Sequence, residues 1–156
     1  MGKEPLISII IVTFNAAKTL QKALDSIFEQ QYPHIEIIII DGLSTDNTVE
    51  ILKANNAKIT FWKSEKDNGI YDAMNKGLAK ATGEYVMFMN AGDEFVSENT
   101  LKTILNHLSK NPDILYSDAN FIDLKGDFIG KRSEATPHQL PQNLTWRDFK
   151  FGMLVC

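Results

Sequence analysis

The sequence predicts an α/β protein with a mainly parallel, Rossmann-like central sheet and helices on both of its faces. Short runs of β-branched and aliphatic residues alternate with segments whose apolar residues follow the 3.6-residue period of an amphipathic helix. A β-α-β-α order of this kind gives parallel strands that are joined by right-handed crossovers. The length of 156 residues suits one domain with one hydrophobic core.

The first half of the chain supplies three predicted strands and two predicted helices. Residues 6–14 are nearly all apolar and predict a central strand. Asn15 follows and is predicted to cap a helix that ends near Gln31. Residues 35–40 predict a second buried strand, and residues 44–46 offer N-caps for a short helix. A third strand is predicted over residues 58–63.

Residues 69–81 have the clearest helical pattern, and Gly83 is predicted to end that helix as a C-terminal cap. The next strand covers residues 85–89, whose unbroken apolar run predicts a central strand that is buried on both faces. Ser97 is then predicted to cap a helix that has Leu101, Ile104, Leu105 and Leu108 on its inner face.

The remainder of the chain predicts a mixed, partly antiparallel region. We expect a strand over residues 114–117, a hairpin with its turn at Lys125-Gly126, a loop over 133–143 and a short helix that starts near Thr145. The last eight residues are apolar and include strand formers, so we expect a C-terminally truncated chain that stops within a core strand.

Charge and composition disfavour several classes of function. The net charge of −4 disfavours nucleic acid as a partner, because such binding needs a basic surface to replace counterions. No apolar run reaches the roughly 18 residues of a membrane span, and the start lacks a signal-peptide pattern. The single cysteine, Cys156, has no internal disulfide partner, which suits a reducing cytosol.

Polar residues follow three of the predicted strands at the points where those strands end. Thr13 and Asn15 lie at the end of the first strand, Asp41 ends the second, and Asn90 and Asp93 follow the fourth. In a parallel sheet these ends lie on one edge, where ligands bind. For any one of these residues, a role as a helix cap or turn residue is the more economical interpretation. For the three groups together we favour a shared crevice.

A metal ion is the predicted neutraliser of a bound diphosphate. Neither a G-x-G-x-x-G nor a G-x-x-x-x-G-K-[ST] motif is present, so a Gly-rich phosphate loop is not expected. Mg²⁺ or Mn²⁺ binds carboxylate and phosphate oxygens, and Asp93 is the candidate ligand. The alternative role for Asp93 is capping of the helix that follows it. The three histidines are scattered and predict neither a zinc site nor a catalytic triad.

Four segments resemble glycosyltransferase family 2, whose members are inverting enzymes with the GT-A fold. They are residues 9–15 (Ile-Ile-Ile-Val-Thr-Phe-Asn), 38–48, 69–77 (Gly-Ile-Tyr-Asp-Ala-Met-Asn-Lys-Gly) and 81–93. The resemblance covers about residues 5–118. The second and third segments are most similar to enzymes that build bacterial surface polysaccharides and exopolysaccharides.

The resemblance implies a role for each candidate residue. Thr13 and Asn15 would border the nucleotide pocket, Asp41 would contact the base, Asp72 and Asn75 would lie near the donor phosphates or sugar, Asn90 would bind the ribose, and Asp93 would bind the metal. This chain has Asn90-Ala91-Gly92-Asp93 where many members have Asp-Ala-Asp-Asp. Gly42 likewise replaces the second carboxylate of the family's Asp-Asp-Gly element.

The resemblance further implies that residues 1–118 bind the donor and that residues 119–156 begin the acceptor side. The expected reaction transfers a hexosyl or N-acetylhexosaminyl group, with inversion, from a nucleoside-diphosphate-sugar to a hydroxyl of a glycan or lipid-linked glycan. The catalytic base is expected beyond Cys156, and Asp118 is a weaker candidate. We expect a cytoplasmic protein, either free or at the inner face of the membrane. The oligomeric state is left open.

Two other functions remain as alternatives. A nucleotide-sugar binding module without turnover would fit the replaced carboxylates and a base that lies outside the chain. A sugar nucleotidyltransferase would also bind a nucleotide at a parallel sheet, but no Gly-rich, Arg-containing loop follows the first strand, which disfavours it.

Overall fold

The computed structural model describes residues 4–108, 112–115, 117–123 and 125–135. The chain divides into two compact units, with the boundary between Leu105 and Asn106. The first eight elements are β1 (Ile7–Thr13), α1 (Leu20–Phe28), β2 (Ile35–Asp41), α2 (Thr48–Ala54), β3 (Phe61–Ser64), α3 (Ile70–Leu78), β4 (Tyr85–Asn90) and α4 (Thr100–Leu108). They are followed by β5 (Asn120–Ile122), β6 (Phe128–Lys131) and α5 (Arg132–Ala135).

The main sheet has the strand order β3-β2-β1-β4, and every pair in it is parallel. The predicted α/β class with a mainly parallel sheet is therefore confirmed. β1 lies in the interior of the sheet, with Thr13 opposite Asp41 of β2 and Val12 opposite Asn90 of β4. All seven residues of β1 are buried, as its unbroken apolar run predicts.

Helices cover both faces of this sheet, as predicted. Because side chains alternate along a strand, Ile9 and Ile11 face one way and Ile10 and Val12 face the other. The first face packs against the apolar stripes of α1, α2 and α4 and forms the larger cluster. The second face packs against α3 through Ala73 and Met74. Both layers hold the carboxyl ends of the strands in fixed positions.

β4 differs from its prediction as a central strand that is buried on both faces. It pairs only with β1 among the described residues, so it lies at an edge of the described sheet. Met87 and Met89 pack into the larger cluster, whereas Val86 and Phe88 on the other face are exposed. The physical reason is that α3 packs mainly against β1 and β2 and leaves this face of β4 uncovered by described residues.

A buried carboxylate joins three segments at the amino end of the sheet. Glu36 accepts hydrogen bonds from the Ser8 hydroxyl (2.5 Å), the Thr82 amide and hydroxyl (2.5 and 2.9 Å) and the Gly83 amide (2.9 Å). Burial raises the pKa of Glu36, but the four hydrogen bonds together outweigh it and lower the pKa below its usual value. The network fixes the turn that leads into β4.

Gly83 belongs to this junction and does not cap α3, so its prediction as a C-cap is wrong. The helix ends at Leu78, and its C-cap residue, Ala79, has right-handed helical geometry. A methyl group at position 83 would lie 2.5 Å from Ser8 Oγ and 2.7 Å from the carbonyl oxygen of Leu6. The glycine is therefore required by the close approach of this turn to β1.

The second unit contains the predicted hairpin. β5 and β6 pair antiparallel, and the turn between them includes Gly126 with φ of 92°. The strand predicted over residues 114–117 is wrong for its described residues, because 114, 115 and 117 pair with no described strand. Residues 133–135 belong to α5 and not to a loop. The predictions for residues 136–156, including the short helix near Thr145, lie outside the described residues.

Asp118 serves to anchor α5 within this unit. Its carboxylate accepts hydrogen bonds from the Ser133 hydroxyl (2.6 Å), the Ser133 amide (3.0 Å) and the Ala119 amide (3.0 Å). The Ser133 hydrogen bonds are the main reason why the pKa of Asp118 is lowered. The carboxylate of Asp118 therefore has a structural role, because it links the residues before β5 to the start of α5. No helix among the described parts of the chain has the length and apolar character needed to cross a membrane.

Candidate functional site

The loops after β1, β2 and β4 leave the sheet side by side at its carboxyl edge. Thr13 and Asp41 occupy one register position, and Asn90 occupies the neighbouring one on the other side of β1. The Gly42 amide donates to the Thr13 carbonyl at 2.9 Å, and a methyl group at Gly92 would lie 4.0 Å from Thr19 Oγ1. The strand-end residues identified from the sequence therefore border one edge of the sheet.

Thr13 has an unusual hydroxyl group. The residue is only 6% exposed, yet its Oγ1 has no hydrogen-bond partner among the described residues. A buried hydroxyl without a partner costs about 1–3 kcal/mol, so native proteins rarely retain one without a reason. Its position at the carboxyl end of an interior strand is where an α/β sheet contacts its ligands. The unpaired hydroxyl makes Thr13 a candidate contact for a ligand at this edge.

Asp41, which the resemblance implies as a contact to the base, is fully buried. Its carboxylate accepts hydrogen bonds from the Ser44 amide (3.0 Å), the Ser44 hydroxyl (2.5 Å) and the Ser64 hydroxyl (2.6 Å). Its relative exposure is 0%. Asp41 therefore joins the loop after β2 to the end of β3.

Asn15 does not cap α1, which begins at Leu20 after Thr19. Its backbone adopts φ of 50°, a left-handed conformation that asparagine tolerates better than most residues. From there its side-chain Oδ1 accepts a hydrogen bond from the Thr45 amide at 2.9 Å, and its own amide donates to Ser44 Oγ at 2.7 Å. Asn15 therefore ties the loop after β1 to the loop after β2.

The next two amides of the first loop are bound in the same way. The Ala16 amide donates to Thr48 Oγ1 at 2.9 Å, and the Ala17 amide donates to Asp46 Oδ2 at 3.1 Å. Asp46 Oδ1 in turn accepts from the Thr48 hydroxyl and amide. The hydrogen bond from the Thr48 hydroxyl is the main cause of the lowered pKa of Asp46. Residues 15–17 are thus held against the start of α2.

Asn90 and Asp93 form a compact turn at the end of β4. The Asn90 amide and its side-chain Nδ2 both donate to Asp93 Oδ2, at 2.9 and 3.0 Å, and the Asp93 amide donates back to the Asn90 carbonyl at 3.0 Å. Both residues are exposed. Asp93 Oδ1 accepts no hydrogen bond from the described residues, so this oxygen is available to a ligand.

Asp72 and Asn75 lie on α3, and no described contact joins them to the strand-end residues. Asp72 accepts a hydrogen bond from the Asn68 amide at 3.0 Å and pairs with Lys76 at 3.2 Å. These two contacts, the Asn68 amide first, lower the pKa of Asp72. Burial lowers the pKa of Lys76, but the carboxylates of Asp72 and Glu65 outweigh that effect and raise the pKa above its usual value. Asn75 is exposed and has no described partner.

Two residues beside the edge were not identified from the sequence. Phe14 follows β1 directly and is 63% exposed, an unusual position for an aromatic ring that is adjacent to a buried strand. Asp67 lies in the loop before α3, and its Oδ1 accepts a hydrogen bond from the Gly69 amide at 2.9 Å. An Asp-x-Gly sequence before a helix indicates a turn in which the aspartate side chain accepts from the glycine amide. Only the fold shows which strand ends Asp67 lies close to.

The fit to a divalent cation depends on Asp93. The described residues contain no group of three or more His, Cys, Asp or Glu side chains placed to hold a metal ion. Mg²⁺ and Mn²⁺ need no such group where phosphate oxygens and water complete the coordination, and one or two carboxylates are then sufficient. An exposed carboxylate with one oxygen available therefore fits a cation that arrives with a diphosphate.

Comparison with known proteins places these features in a family. The family model described as glycosyl transferase family 2 matches residues 8–155. A PGL/p-HBAD biosynthesis glycosyltransferase of Mycobacterium bovis is 35% identical over 119 residues, which cover 73% of this chain and 46% of that protein. An uncharacterized glycosyltransferase of Mycobacterium tuberculosis is 36% identical over 110 residues, 70% of this chain and 42% of its own length. The chain spans about half the length of the curated relatives it matches.

Solved structures with the same fold include two glycosyltransferase complexes. The mannosyltransferase PcManGT from Pyrobaculum calidifontis, in complex with GDP-Man and Mn²⁺, superposes with a TM-score of 0.64 at 28% identity, over 69% of this chain and 33% of that one. S. aureus TarS 1-349 in complex with UDP-GlcNAc has a TM-score of 0.62 at 26% identity, over 67% and 31% respectively.

Proposed function

Because this chain belongs to glycosyltransferase family 2 and has the GT-A fold, we propose that it forms the donor-binding half of an enzyme that transfers a sugar from a nucleoside-diphosphate-sugar to an acceptor hydroxyl. The proposal concerns the whole protein's reaction, of which the described residues supply the donor side. The division at residue 118 between donor and acceptor regions is part of this proposal.

The unpaired hydroxyl of Thr13 is the observation that carries the proposal. It is buried at the carboxyl end of an interior parallel strand, beside the exposed ring of Phe14. A nucleoside that stacks on Phe14 would supply a polar atom to Thr13 and remove the cost of the unsatisfied group. We assign the nucleoside to this place on the edge.

Asp41 and Asn15, which were expected to contact the ligand, are proposed instead to position the loops around it. Asp41 and Asn15 direct their side-chain oxygens to neighbouring loops, not to the open edge. They would therefore act on the nucleotide through the loops that they hold. Asp72 and Asn75 keep their proposed place near the donor phosphates or sugar, and Asn90 keeps its proposed contact to the ribose.

Asp93 would hold a divalent cation, Mg²⁺ or Mn²⁺, through the oxygen that accepts no described hydrogen bond. When bound, such an ion neutralises negative charge on a diphosphate leaving group. The complex of a fold neighbour with GDP-Man and Mn²⁺ supports this choice. Asn90 orients the Asp93 carboxylate by donating two hydrogen bonds to its other oxygen.

The proposed transfer proceeds with inversion. The acceptor oxygen forms a bond to the anomeric carbon as the bond from that carbon to the diphosphate oxygen breaks, and the acceptor proton passes to a base. We propose that this base comes from residues beyond those described, because Asp118 is engaged with Ser133. The contribution of the described residues is to position the donor, which supplies a large part of such rate enhancements.

The finer proposals follow the resemblance. We propose a hexosyl or N-acetylhexosaminyl donor, since fold neighbours bind GDP-Man and UDP-GlcNAc. A glycan or lipid-linked glycan would be the acceptor, in the synthesis of a bacterial surface polysaccharide. The protein would work in the cytoplasm or at the inner face of the membrane.

Calorimetry with UDP-GlcNAc and GDP-Man, each with and without Mn²⁺, tests the donor site in the purified protein. We expect binding of at least one donor, with higher affinity in the presence of Mn²⁺. The absence of binding by any nucleotide or nucleotide-sugar would contradict the proposal.

A nucleotide-sugar binding module without turnover is the second candidate. The single carboxylate of Asn90-Ala91-Gly92-Asp93 favours it, because a cation held by one acidic side chain is bound more weakly than one held by several. Measurement of sugar release from a bound donor, with a panel of glycan acceptors, separates the two functions. Donor binding without any turnover would favour the binding module.

A further inference from the structure

The segment that follows Asp93 is held against the carboxyl end of α1. The Phe95 amide donates to Ser26 Oγ at 3.1 Å, and the Gln31 amide donates to the Glu98 carbonyl at 2.8 Å. The Phe95 side chain also packs against the larger apolar cluster. The first helix therefore fixes the path of the chain that leaves the fourth strand.

Gln30 extends this contact to the start of α4. Its side chain is buried, with 8% exposure for the residue, and every polar group of its amide is used. Nε2 donates to the Ser26 carbonyl at 3.0 Å and to the Ser97 carbonyl at 2.7 Å, and Oε1 accepts from the Leu101 amide at 3.1 Å. The Leu101 amide lies in the first turn of its helix, where backbone amides have no partner within the helix. Gln30 therefore holds α1, the loop after β4 and the start of α4 together.

Asp93 lies between two fixed points of the chain. On one side, Asn90 is the last residue of β4 and pairs with β1. On the other side, Ser26 binds the amide of Phe95, two residues beyond Asp93. Ala91 is buried between these points, which further restricts the connection. The place of the Asp93 carboxylate is therefore set from both sides.

We propose that Ser26 and Gln30 are positioning residues for the divalent cation, because they fix the segment that places Asp93. The inference rests on the proposed function, since it requires that Asp93 holds a cation beside a bound diphosphate. The Ser26 hydroxyl donates to the Ala23 carbonyl at 2.8 Å, which leaves its oxygen to accept from the Phe95 amide. Replacing residues that orient a metal ligand typically lowers metal affinity by about 10- to 100-fold. Ser26 acts one step further from the ion, so we expect a smaller effect, about 3- to 10-fold.

Calorimetry with UDP and GDP, each with and without Mn²⁺, tests the inference on the purified protein. The quantity compared between variants is the Mn²⁺ ratio, defined as the Kd without Mn²⁺ divided by the Kd with it. Ser26→Ala should reduce the Mn²⁺ ratio about 3- to 10-fold and leave the Kd without Mn²⁺ nearly unchanged. Ser26→Thr keeps the hydroxyl and should keep the ratio of the wild type. Gln30→Met has nearly the same length but makes none of the glutamine's hydrogen bonds, so it should reduce the ratio at least as much as Ser26→Ala.

Ser8→Ala is the matched control, because it makes the same chemical change at the opposite end of the sheet. The Ser8 hydroxyl donates to Glu36 at 2.5 Å and accepts from the Gly83 amide at 2.9 Å. Both serine-to-alanine variants should lower Tm in thermal melts of the free protein, since each leaves a backbone amide without its partner. Only Ser26→Ala should change the Mn²⁺ ratio.

The possible results separate this inference from the proposed function. An unchanged Mn²⁺ ratio in Ser26→Ala or in Gln30→Met would overturn the positioning role of that residue. An equal loss of affinity with and without Mn²⁺ would do the same, because a purely structural role predicts it. In these results the wild type still binds a nucleotide, so the donor site stands. A wild type that binds a nucleotide without any effect of Mn²⁺ would overturn the metal role of Asp93 together with this inference, and a wild type that binds neither UDP nor GDP would overturn the proposed function itself.

Discussion

Replacing Thr13 by valine should raise the stability of the free protein and lower its affinity for the nucleotide. Valine has nearly the same shape and removes only the hydroxyl, which is buried and has no partner among the described residues. Removing an unpaired buried hydroxyl should stabilise the fold by about 1 kcal/mol. In a domain of this size that raises Tm by roughly 2–4 °C.

The nucleotide affinity should change in the opposite direction. If the hydroxyl is satisfied by the ligand, its loss removes one neutral hydrogen bond from the complex, so Kd rises about 3- to 10-fold. Calorimetric titration with the preferred nucleoside diphosphate and thermal melts of the free protein measure the two effects on the same samples.

Thr48→Val is a matched control, because Thr48 is also buried but its hydroxyl is fully engaged. That hydroxyl donates to Asp46 at 2.5 Å and accepts from the Ala16 amide at 2.9 Å. Its removal leaves two groups unpaired and should destabilise the protein by about 2–4 kcal/mol. A decrease in Tm for Thr13→Val, or an unchanged Kd, would refute the assignment of the Thr13 hydroxyl to the ligand.

Three further substitutions probe the rest of the molecule. Glu36→Gln should destabilise by about 2–4 kcal/mol at pH 7, because an amide faces the donors of Ser8, Thr82 and Gly83. Because the pKa of Glu36 is lowered in the folded state, the stability that its carboxylate contributes is present above about pH 4.5 and is lost as pH falls through the folded-state pKa. The urea midpoints of the wild type and the variant should therefore converge in acid. A difference in midpoint that does not change with pH would contradict the lowered pKa. Asp41→Asn should lower the urea midpoint without any nucleotide present, whereas a pure ligand contact would leave it unchanged. Asp93→Asn should abolish most of the gain in nucleotide affinity that Mn²⁺ provides. Its Tm should change little, because the residue is exposed. An undiminished effect of Mn²⁺ in calorimetry would exclude Asp93 as the metal ligand.

The sequence predicted those parts of the fold that depend on local patterns. The apolar runs of β1 and β2 indicate burial directly, and both strands form close to their predicted bounds. The apolar stripe of α1 predicted a helix correctly, but the helix is shorter than predicted, because it begins at Leu20 and ends at Phe28. The exposure of Val86 and Phe88 was not predictable from residues 85–89 alone. It depends on which strands α3 covers, and that is set by residues distant in the chain.

The candidate site, like the fold, was predictable from the sequence only in part. The polar residues at the strand ends were predicted to share one edge of the sheet, and they do, because the carboxyl ends of parallel strands must lie together. The sequence did not distinguish side chains that face a ligand from those that hold a loop. Asp41 and Asn15 have the residue types of ligand contacts, yet the side-chain oxygens of Asp41 accept from Ser44 and Ser64, and that of Asn15 accepts from Thr45. Asp67 was missed because its approach to Gly42 joins two loops that are separate in the sequence.

The hydrogen bonds that hold residues 15–17 have a consequence for how a diphosphate is recognised. Many nucleotide-binding proteins present consecutive backbone amides of the first loop to the phosphates. Here the three amides of Asn15, Ala16 and Ala17 already donate to Ser44, Thr48 and Asp46. An anion approaching this loop therefore meets saturated donors and the carboxylate of Asp46. In the proposed donor site, phosphate charge would instead be balanced by the cation that Asp93 holds after β4, on the other side of β1. The first loop would then recognise the nucleoside, and the end of the fourth strand would recognise the anion.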